Sequence, residues 1–228
     1  MSAITIAIEG SDGAGKATQT ELLVQHLEQN HNKVGRVSFP RYNTTSAGTL
    51  LFEFLKSNKA AEYDFVNANP KLASRIYAQD RFESLAYLND LIAQNDFVVF
   101  DRYVESNLLH QGGKLKTNDE MLAFANWLFG LEYGELVLPR PDIIVYLDLP
   151  YSFSYERAFK RAREKGEELD AVESNMDYVR RGSEAGRIYA EMFGWDVVKC
   201  VTFPEPHFAY ELKPEEIHMK IREIIQKQ

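Results

Sequence analysis

The sequence is poor in the features that mark secreted, membrane-spanning and nucleic-acid-binding proteins. Its single cysteine, Cys200, excludes an internal disulfide and a cysteine-based metal cluster. Its 26 lysines and arginines are outnumbered by 34 aspartates and glutamates, whereas a binder of the nucleic-acid backbone needs clustered positive charge. No apolar run reaches membrane-spanning length, and the first run is too short for a signal peptide. We therefore predict a cytoplasmic protein that binds neither nucleic acid nor membrane.

Short apolar runs alternate with helical patterns along the chain. The runs predict five strands at Ile4 to Ile8, Val34 to Phe39, Phe97 to Phe100, Ile143 to Leu147 and Val197 to Thr202. Helical patterns between all of them make the connections crossovers and the sheet mostly parallel. One of these patterns begins at Pro70 and predicts a single helix to about Gln94. The fold class is thus α/β, with a five-stranded, mostly parallel sheet flanked by helices in one domain over residues 1–228.

A glycine-rich segment follows the first strand and precedes the first helix. It has the spacing of a phosphate-binding Walker A loop, Gly10-Ser11-Asp12-Gly13-Ala14-Gly15-Lys16. Its glycines allow backbone N–H groups to surround phosphates, and the helix N-terminus adds positive potential. We predict that ATP binds from Gly10 to Thr18 and that Lys16, facing solvent, binds the transferred phosphate. A glycine-rich turn without a nucleotide is the alternative interpretation.

The residue after the lysine departs from this pattern. Walker A loops have Ser or Thr there as a ligand of Mg²⁺, and this sequence has Ala17. Asp101 and Arg102 follow the third strand directly, at the sheet edge where ligands bind in open α/β folds. Asp101 could hold Mg²⁺ through water, and Arg102 could bind a phosphate. A structural ion pair is the alternative for these two residues.

Five segments together resemble the thymidylate kinase family, from Ile4 to the C-terminal helix. They are Ile8 to Lys16, Phe39-Pro40-Arg41-Tyr42, Tyr77-Ala78-Gln79-Asp80-Arg81, Asp101 to Asn107, and Leu138 to Asp142 running into Tyr146-Leu147-Asp148. The resemblance implies a P-loop nucleoside monophosphate kinase fold with an arginine-rich lid at about 156–173. It also implies transfer of the γ-phosphoryl of ATP to thymidine monophosphate (dTMP) in dTTP synthesis, with Mg²⁺ and a homodimer.

The resemblance assigns roles at the acceptor site. Arg41 and Tyr42, after Phe39, would contact the monophosphate together with Arg102. Tyr77 would stack on thymine, Arg81 would bond its O4, and Asn107 would contact the base edge. Asp12 would meet the sugar hydroxyl, and Glu9 would reach the metal through water. The other residues assigned to this site are Ser106, His110, Asp170 and Glu173.

Two departures from the family pattern affect these roles. His110 replaces the aromatic residue that the family packs against the deoxyribose C2′. An imidazole offers space and a hydrogen-bond partner to a ribose hydroxyl, so we expect weakened selection against ribonucleotides. Gly13 occupies a position where some members carry Arg, which resembles the subclass that takes its catalytic arginine from the lid. The candidates are Arg157, Arg161 and Arg163, with a solvated basic face as the alternative.

Other functions stay open at this point. The chain could phosphorylate another nucleoside monophosphate or a deoxynucleoside. A nucleotide-binding homologue without catalysis is a further alternative, because of Ala17.

Overall fold

The computed structural model describes residues 3–56, 64–165, 176–205 and 208–227. Its main sheet has five strands in the order β2-β3-β1-β4-β5, and every neighbouring pair is parallel. These strands are β1 (Ile4–Gly10), β2 (Val34–Ser38), β3 (Phe97–Asp101), β4 (Ile143–Asp148) and β5 (Asp196–Lys199). The predicted fold class is confirmed.

Helices connect the strands and cover the sheet. They are α1 (Lys16–Gln29), α2 (Ser46–Lys56), α3 (Asp64–Ala68), α4 (Pro70–Glu83), α5 (Leu85–Gln94), α6 (Ser106–His110), α7 (Asn118–Phe129), α8 (Tyr151–Lys165), α9 (Met176–Phe193) and α10 (Pro214–Ile225). A 3₁₀ turn at Gly112–Lys114 precedes α7, and a π-helical segment at Gly130–Glu135 follows it. Within the described ranges, no helix combines the length and apolar character needed to cross a membrane.

The hydrophobic core lies on both faces of the sheet. Successive residues of β1 alternate between the faces, so Ala7 packs on one side and Ile6 and Ile8 on the other. One side is completed by apolar residues of α5 to α7 and α9, and the other by residues of α1 and α10. Burial on both faces explains why the strands are continuous apolar runs rather than alternating ones.

The single helix predicted from Pro70 to about Gln94 is wrong, because the chain breaks it at Ser84. The Ser84 hydroxyl donates to the Asp80 carbonyl over 2.8 Å and accepts from Arg41 over 3.1 Å. Hydroxyls that bond a carbonyl one turn back compete with the helical ladder and bend helices. The resulting junction between α4 and α5 supports the loop that carries Arg41.

The fifth predicted strand, Val197 to Thr202, is also wrong as one unit. β5 ends at Lys199, and Val201–Glu205 forms β6, which pairs antiparallel with β7 (Phe208–Glu211). Cys200 causes the change of partner: its N–H donates to Asp148 of β4 over 3.0 Å, while its carbonyl accepts from Leu212 over 2.9 Å. The hairpin brings Glu211 to the edge of α8.

Candidate active site

The predicted phosphate-binding loop joins β1 to α1, and Gly15 caps that helix with a left-handed φ of 92°. Gly13 has a φ of 81°, and a Cβ built there would lie 2.6 Å from the Ser154 carbonyl oxygen. Only glycine fits this position without displacing the backbone. An arginine therefore does not fit at position 13 of this backbone, so a catalytic arginine would have to lie elsewhere in the chain. Ser11 lies beside the same neighbour, with 2.9 Å between the hydroxyls of Ser11 and Ser154.

Lys16 is buried, with 6% of its surface exposed, and the expectation that it faces solvent is wrong. Its ammonium donates to the carbonyls of Gly10 over 2.9 Å and Ser11 over 2.7 Å, and it lies 3.9 Å from the Asp12 carboxylate. Burial, followed by the nearby Arg102 guanidinium, lowers the pKa of Lys16 to about 8. The loop thus folds around the Lys16 ammonium, whose two hydrogen-bond acceptors are carbonyls of the loop itself. Ala17 and Thr18 lie exposed on the first turn of α1.

Arg102 follows the last residue of β3 and connects the sheet edge to this loop. Its backbone adopts a left-handed φ of 66°, which is uncommon for a residue with a side chain and is found at functional sites. Its guanidinium donates to Asp12 and, over 3.2 Å, to His110. Burial opposes both charges, but the pair holds the pKa of Asp12 well below its usual range and raises that of Arg102. Arg102 thus forms an ion pair, but its partner is Asp12 of the phosphate-binding loop rather than its neighbour Asp101.

His110 is held between Arg102 and Tyr178 of α9. Burial lowers the pKa of His110 to about 4, so the ring is neutral at physiological pH. Since Arg102 donates to Nε2, the proton is assigned to Nδ1, which donates to the Tyr178 hydroxyl over 3.2 Å. The two rings also stack, with centroids 5.9 Å apart. Both ring nitrogens are engaged, so a ribose hydroxyl would have to replace one of these partners. The hydrogen bond to that hydroxyl and the weakened selection against ribonucleotides stay predictions.

The loop after β2 is fixed by buried groups. Phe39 packs on Tyr103 with ring centroids 5.7 Å apart, and the Phe39–Pro40 peptide bond is cis. The Arg41 N–H donates to the Asp80 carboxylate over 2.9 Å, and its guanidinium lies over the Tyr87 ring at 4.3 Å. Arg41 and Arg102, predicted to bind one phosphate, are therefore held by different partners.

The other aromatic residue of this loop is also placed. The Tyr42 ring packs edge-on against Phe52 with centroids 5.8 Å apart. Burial and the proximity of Tyr42 raise the pKa of Tyr77, while the charges of Arg102 and Asp12 also act on it. Tyr77 is half-buried, and its stacking on thymine stays a prediction.

Arg81 and Asn107 converge on a carboxylate that sequence reasoning missed. Arg81 is 2% exposed and donates to both carboxylate oxygens of Glu132, over 2.5 and 2.7 Å. Asn107 donates to the same carboxylate over 3.3 Å. Burial opposes the Arg81 charge, but the Glu132 carboxylate raises the pKa of Arg81. The structure thus joins the two predicted base-contacting residues through one buried acid.

A model of the thymidylate kinase family matches residues 8–193, from the end of β1 to the end of α9. This chain belongs to the thymidylate kinase family. A thymidylate kinase of Mycobacterium tuberculosis is 32% identical over 193 residues, which cover 83% of this chain and 86% of the relative. A thymidylate kinase of Schizosaccharomyces pombe is 26% identical over 176 residues, covering 77% and 75%. The solved thymidylate kinase of Candida albicans has the same fold, with a TM-score of 0.70 at 20% identity over 99% of this chain and 92% of that one.

One of the three arginines predicted to lie in a lid reaches the P-loop of this thymidylate kinase family member. Arg157 of α8 donates to the Gly13 carbonyl over 3.3 Å and is paired with Glu211 of the hairpin at 3.0 Å. Arg163 is exposed, as the alternative of a solvated face predicts. The remaining predicted lid groups, the Arg161 side chain and residues Asp170 and Glu173, lie outside the described part of the chain. Glu211 was missed, and it lies beyond the residues that match the family.

The carboxylates near the P-loop fit Mg²⁺ only in part. Glu9 is buried, and its two oxygens accept from the Tyr103 N–H and the Ser106 hydroxyl, each over 2.6 Å. Burial raises the pKa of Glu9, so it fits an outer position rather than a direct ligand. Asp101 is 8% exposed and accepts no side-chain hydrogen bond from the described residues. Across these residues no group of three acidic, histidine or cysteine side chains forms a cage. The donor set therefore fits an ion held by Asp101, water and substrate phosphates, as Mg²⁺ commonly is.

Proposed function

We propose that this protein transfers the γ-phosphoryl of ATP to the phosphate of dTMP, giving dTDP and ADP. Membership of the thymidylate kinase family supports the reaction. The observation that carries the proposal is the ion pair of Arg102 with Asp12, because it joins the cation at the sheet edge to the ATP loop. In this proposal the two reacting phosphates would approach each other at this junction.

Phosphoryl transfer needs positioning and charge neutralisation more than covalent chemistry. Lys16 would exchange its two carbonyl partners for the β- and γ-phosphate oxygens of ATP, at little cost in reorganisation. Arg102 would bind the acceptor phosphate and keep it in line with the donor. Mg²⁺ bound with ATP would neutralise charge on the phosphate oxygens, and Asp101 would hold it through water. Arg157 would stabilise the charge that develops on the transferred group.

The acceptor is a monophosphate in this proposal because an arginine would meet its phosphate. Arg102 would bind the phosphate, and Tyr77, Arg81 and Asn107 would contact the base; the link of Arg81 and Asn107 through Glu132 supports this division. A nucleoside would leave the Arg102 charge unpaired by phosphate. We also propose a homodimer in the cytoplasm, as the family resemblance implies.

A coupled assay of ADP release tests the proposal against a non-catalytic homologue. ATP and Mg²⁺ are supplied with dTMP, with thymidine, or with no acceptor. We expect ADP release to depend on dTMP and to be far slower with thymidine. ATP binding without acceptor-dependent ADP release would favour the non-catalytic homologue.

Replacing Ala17 by threonine tests the placement of the metal. Ala17 is exposed on the first turn of α1, where a hydroxyl would restore a direct Mg²⁺ ligand. We expect higher activity at limiting Mg²⁺ for Ala17→Thr and no gain for Ala17→Val, which has the same shape without the hydroxyl. The measurement is the Mg²⁺ dependence of turnover. If neither variant gains activity at limiting Mg²⁺, or if both gain equally, the ion does not lie beside residue 17.

Replacing Arg157 by alanine tests the assignment of the lid arginine. Arginines that stabilise the transferred phosphoryl contribute about 10³-fold or more to kcat. We expect a loss of that order for Arg157→Ala and little change for Arg163→Ala, an exposed arginine of the same helix. Steady-state kcat at saturating ATP and dTMP is the measurement. Equal losses in the two variants would contradict the assignment.

A further inference from the structure

The Glu132 carboxylate is fully buried and touches both residues that are predicted to contact the base. We infer that Glu132 is a positioning residue that makes the acceptor site selective for 4-oxo over 4-amino pyrimidines, by fixing the orientation of Arg81. The inference rests on the proposed function, since it concerns the base of the acceptor nucleotide.

The geometry of the pair fixes the guanidinium plane. Nε and Nη2 of Arg81 donate to the two oxygens of Glu132 over 2.5 and 2.7 Å, a fork that determines orientation as well as distance. Nη1 donates to the Tyr103 carbonyl over 3.3 Å. A guanidinium has five N–H donors, so three bonds leave two without an acceptor among the described residues. These two N–H groups of Arg81 can hydrogen-bond only to acceptor atoms of a bound molecule, because a guanidinium has no acceptor of its own.

The charge balance of the Arg81–Glu132 pair determines which base can bind beside it. The Glu132 carboxylate balances the Arg81 cation, so a neutral base meets hydrogen-bond donors rather than an unpaired charge. A carbonyl at position 4 of the pyrimidine accepts from these donors, whereas an amino group presents its own N–H groups to them. Sites built to hydrogen-bond a substrate group reject analogues that lack it, because buried donors are left unsatisfied.

The local backbone places Glu132 at this depth. It lies in the π-helical segment Gly130–Glu135, and its carbonyl accepts from the Leu138 N–H over 3.0 Å. π-helical turns are rare and occur often at functional sites. Stability alone accounts poorly for the pair, because a buried ion pair adds little compared with apolar side chains of the same volume. A role in orienting Arg81 and Asn107 accounts for both the backbone and the charge.

The test compares dTMP with dCMP as acceptors for wild type, Glu132→Gln and Glu105→Gln. The control residue Glu105 is another buried acid of this region, which accepts from the Tyr133 hydroxyl over 2.6 Å rather than from Arg81. In Glu132→Gln an amide NH₂ group replaces one carboxylate oxygen. It cannot accept from Arg81, so one of the two Arg81–Glu132 hydrogen bonds is lost. We expect kcat/KM for dTMP to fall by about tenfold or more, the size of a lost charge-assisted bond.

Two further readouts separate positioning from a purely structural effect. The ratio of kcat/KM for dTMP over dCMP should fall in Glu132→Gln and stay at the wild-type value in Glu105→Gln, with the KM for ATP unchanged in both. The double variant with Arg81→Ala should lose little beyond Arg81→Ala alone, because the two residues act as one unit.

An unchanged dTMP to dCMP ratio in folded Glu132→Gln would overturn the inference. If that variant does not fold, Glu132→Asp retains the charge on a shorter side chain, and an unchanged ratio there would overturn it equally. A wild-type protein that transfers phosphoryl to neither acceptor would instead refute the proposed function. The two failures are therefore distinguishable.

Discussion

Replacing Lys16 by alanine is expected to lower kcat by about 10²–10³-fold, the effect of removing one preorganised donor to developing charge. Lys16 is held by the carbonyls of Gly10 and Ser11, which ATP phosphates would replace. The measurement is turnover at saturating substrates, with thermal unfolding as the check on folding.

Lys16→Met is the matched control, because it keeps the apolar stem and removes only the charge. We expect the same loss of kcat in Lys16→Met as in Lys16→Ala. Near wild-type turnover in Lys16→Met would show that the ammonium does not act on the transferred phosphate.

Replacing Arg102 by alanine is expected to lower kcat/KM for dTMP by about 10²–10³-fold, with a much smaller change in the KM for ATP. The guanidinium contacts Asp12 and His110 and would also bind the acceptor phosphate. Arg102→Lys should recover only part of this loss, since an ammonium cannot serve three partners in a fixed plane. Alanine and lysine carry a Cβ as arginine does, so the left-handed φ at residue 102 should add no conformational strain beyond that of the wild type.

Arg187→Ala supplies the control for Arg102. Arg187 also pairs with an aspartate at the end of a strand, Asp148 of β4, over 2.7 Å, and it is 43% exposed. We expect this variant to keep its activity with dTMP. Equal losses for ATP and dTMP in Arg102→Ala would contradict the acceptor role of Arg102.

The sheet and the centre of the site could be predicted because their signals are local. The P-loop is one continuous segment between a strand and a helix, and Asp101 and Arg102 directly follow a strand. Carboxyl ends of parallel strands meet at one edge, so finding the strands also placed these residues together.

The residues that sequence reasoning missed depend on contacts between distant segments. Glu132 is 51 positions from Arg81, and Glu211 is 54 positions from Arg157. A single glutamate in a helical or strand pattern has no local signature that names its partner. Tyr178 was missed for the same reason, since it meets His110 across 68 positions.

Local competition explains the wrong boundaries. The apolar pattern continues across Ser84, whereas the Ser84 hydroxyl bonds the Asp80 carbonyl and accepts from Arg41 at the point where the helix breaks. The apolar run around Cys200 is equally continuous. However, the Cys200 N–H bonds to Asp148 of β4 while its carbonyl bonds to Leu212 after the hairpin, so the strand changes partner there. The burial of Lys16 could not be predicted either, because a sequence gives a charge and not the carbonyls folded around it.

The most direct test of the account follows labelled phosphate from ATP to product. The protein is incubated with ATP labelled at the γ-phosphate, Mg²⁺ and dTMP, and the products are separated. We predict that label appears in dTDP in equal amount to the ADP formed, and that this transfer stops when dTMP is omitted. Release of the label only as inorganic phosphate would contradict the account. It would also be contradicted if thymidine were converted to labelled dTMP while dTMP gave no labelled dTDP.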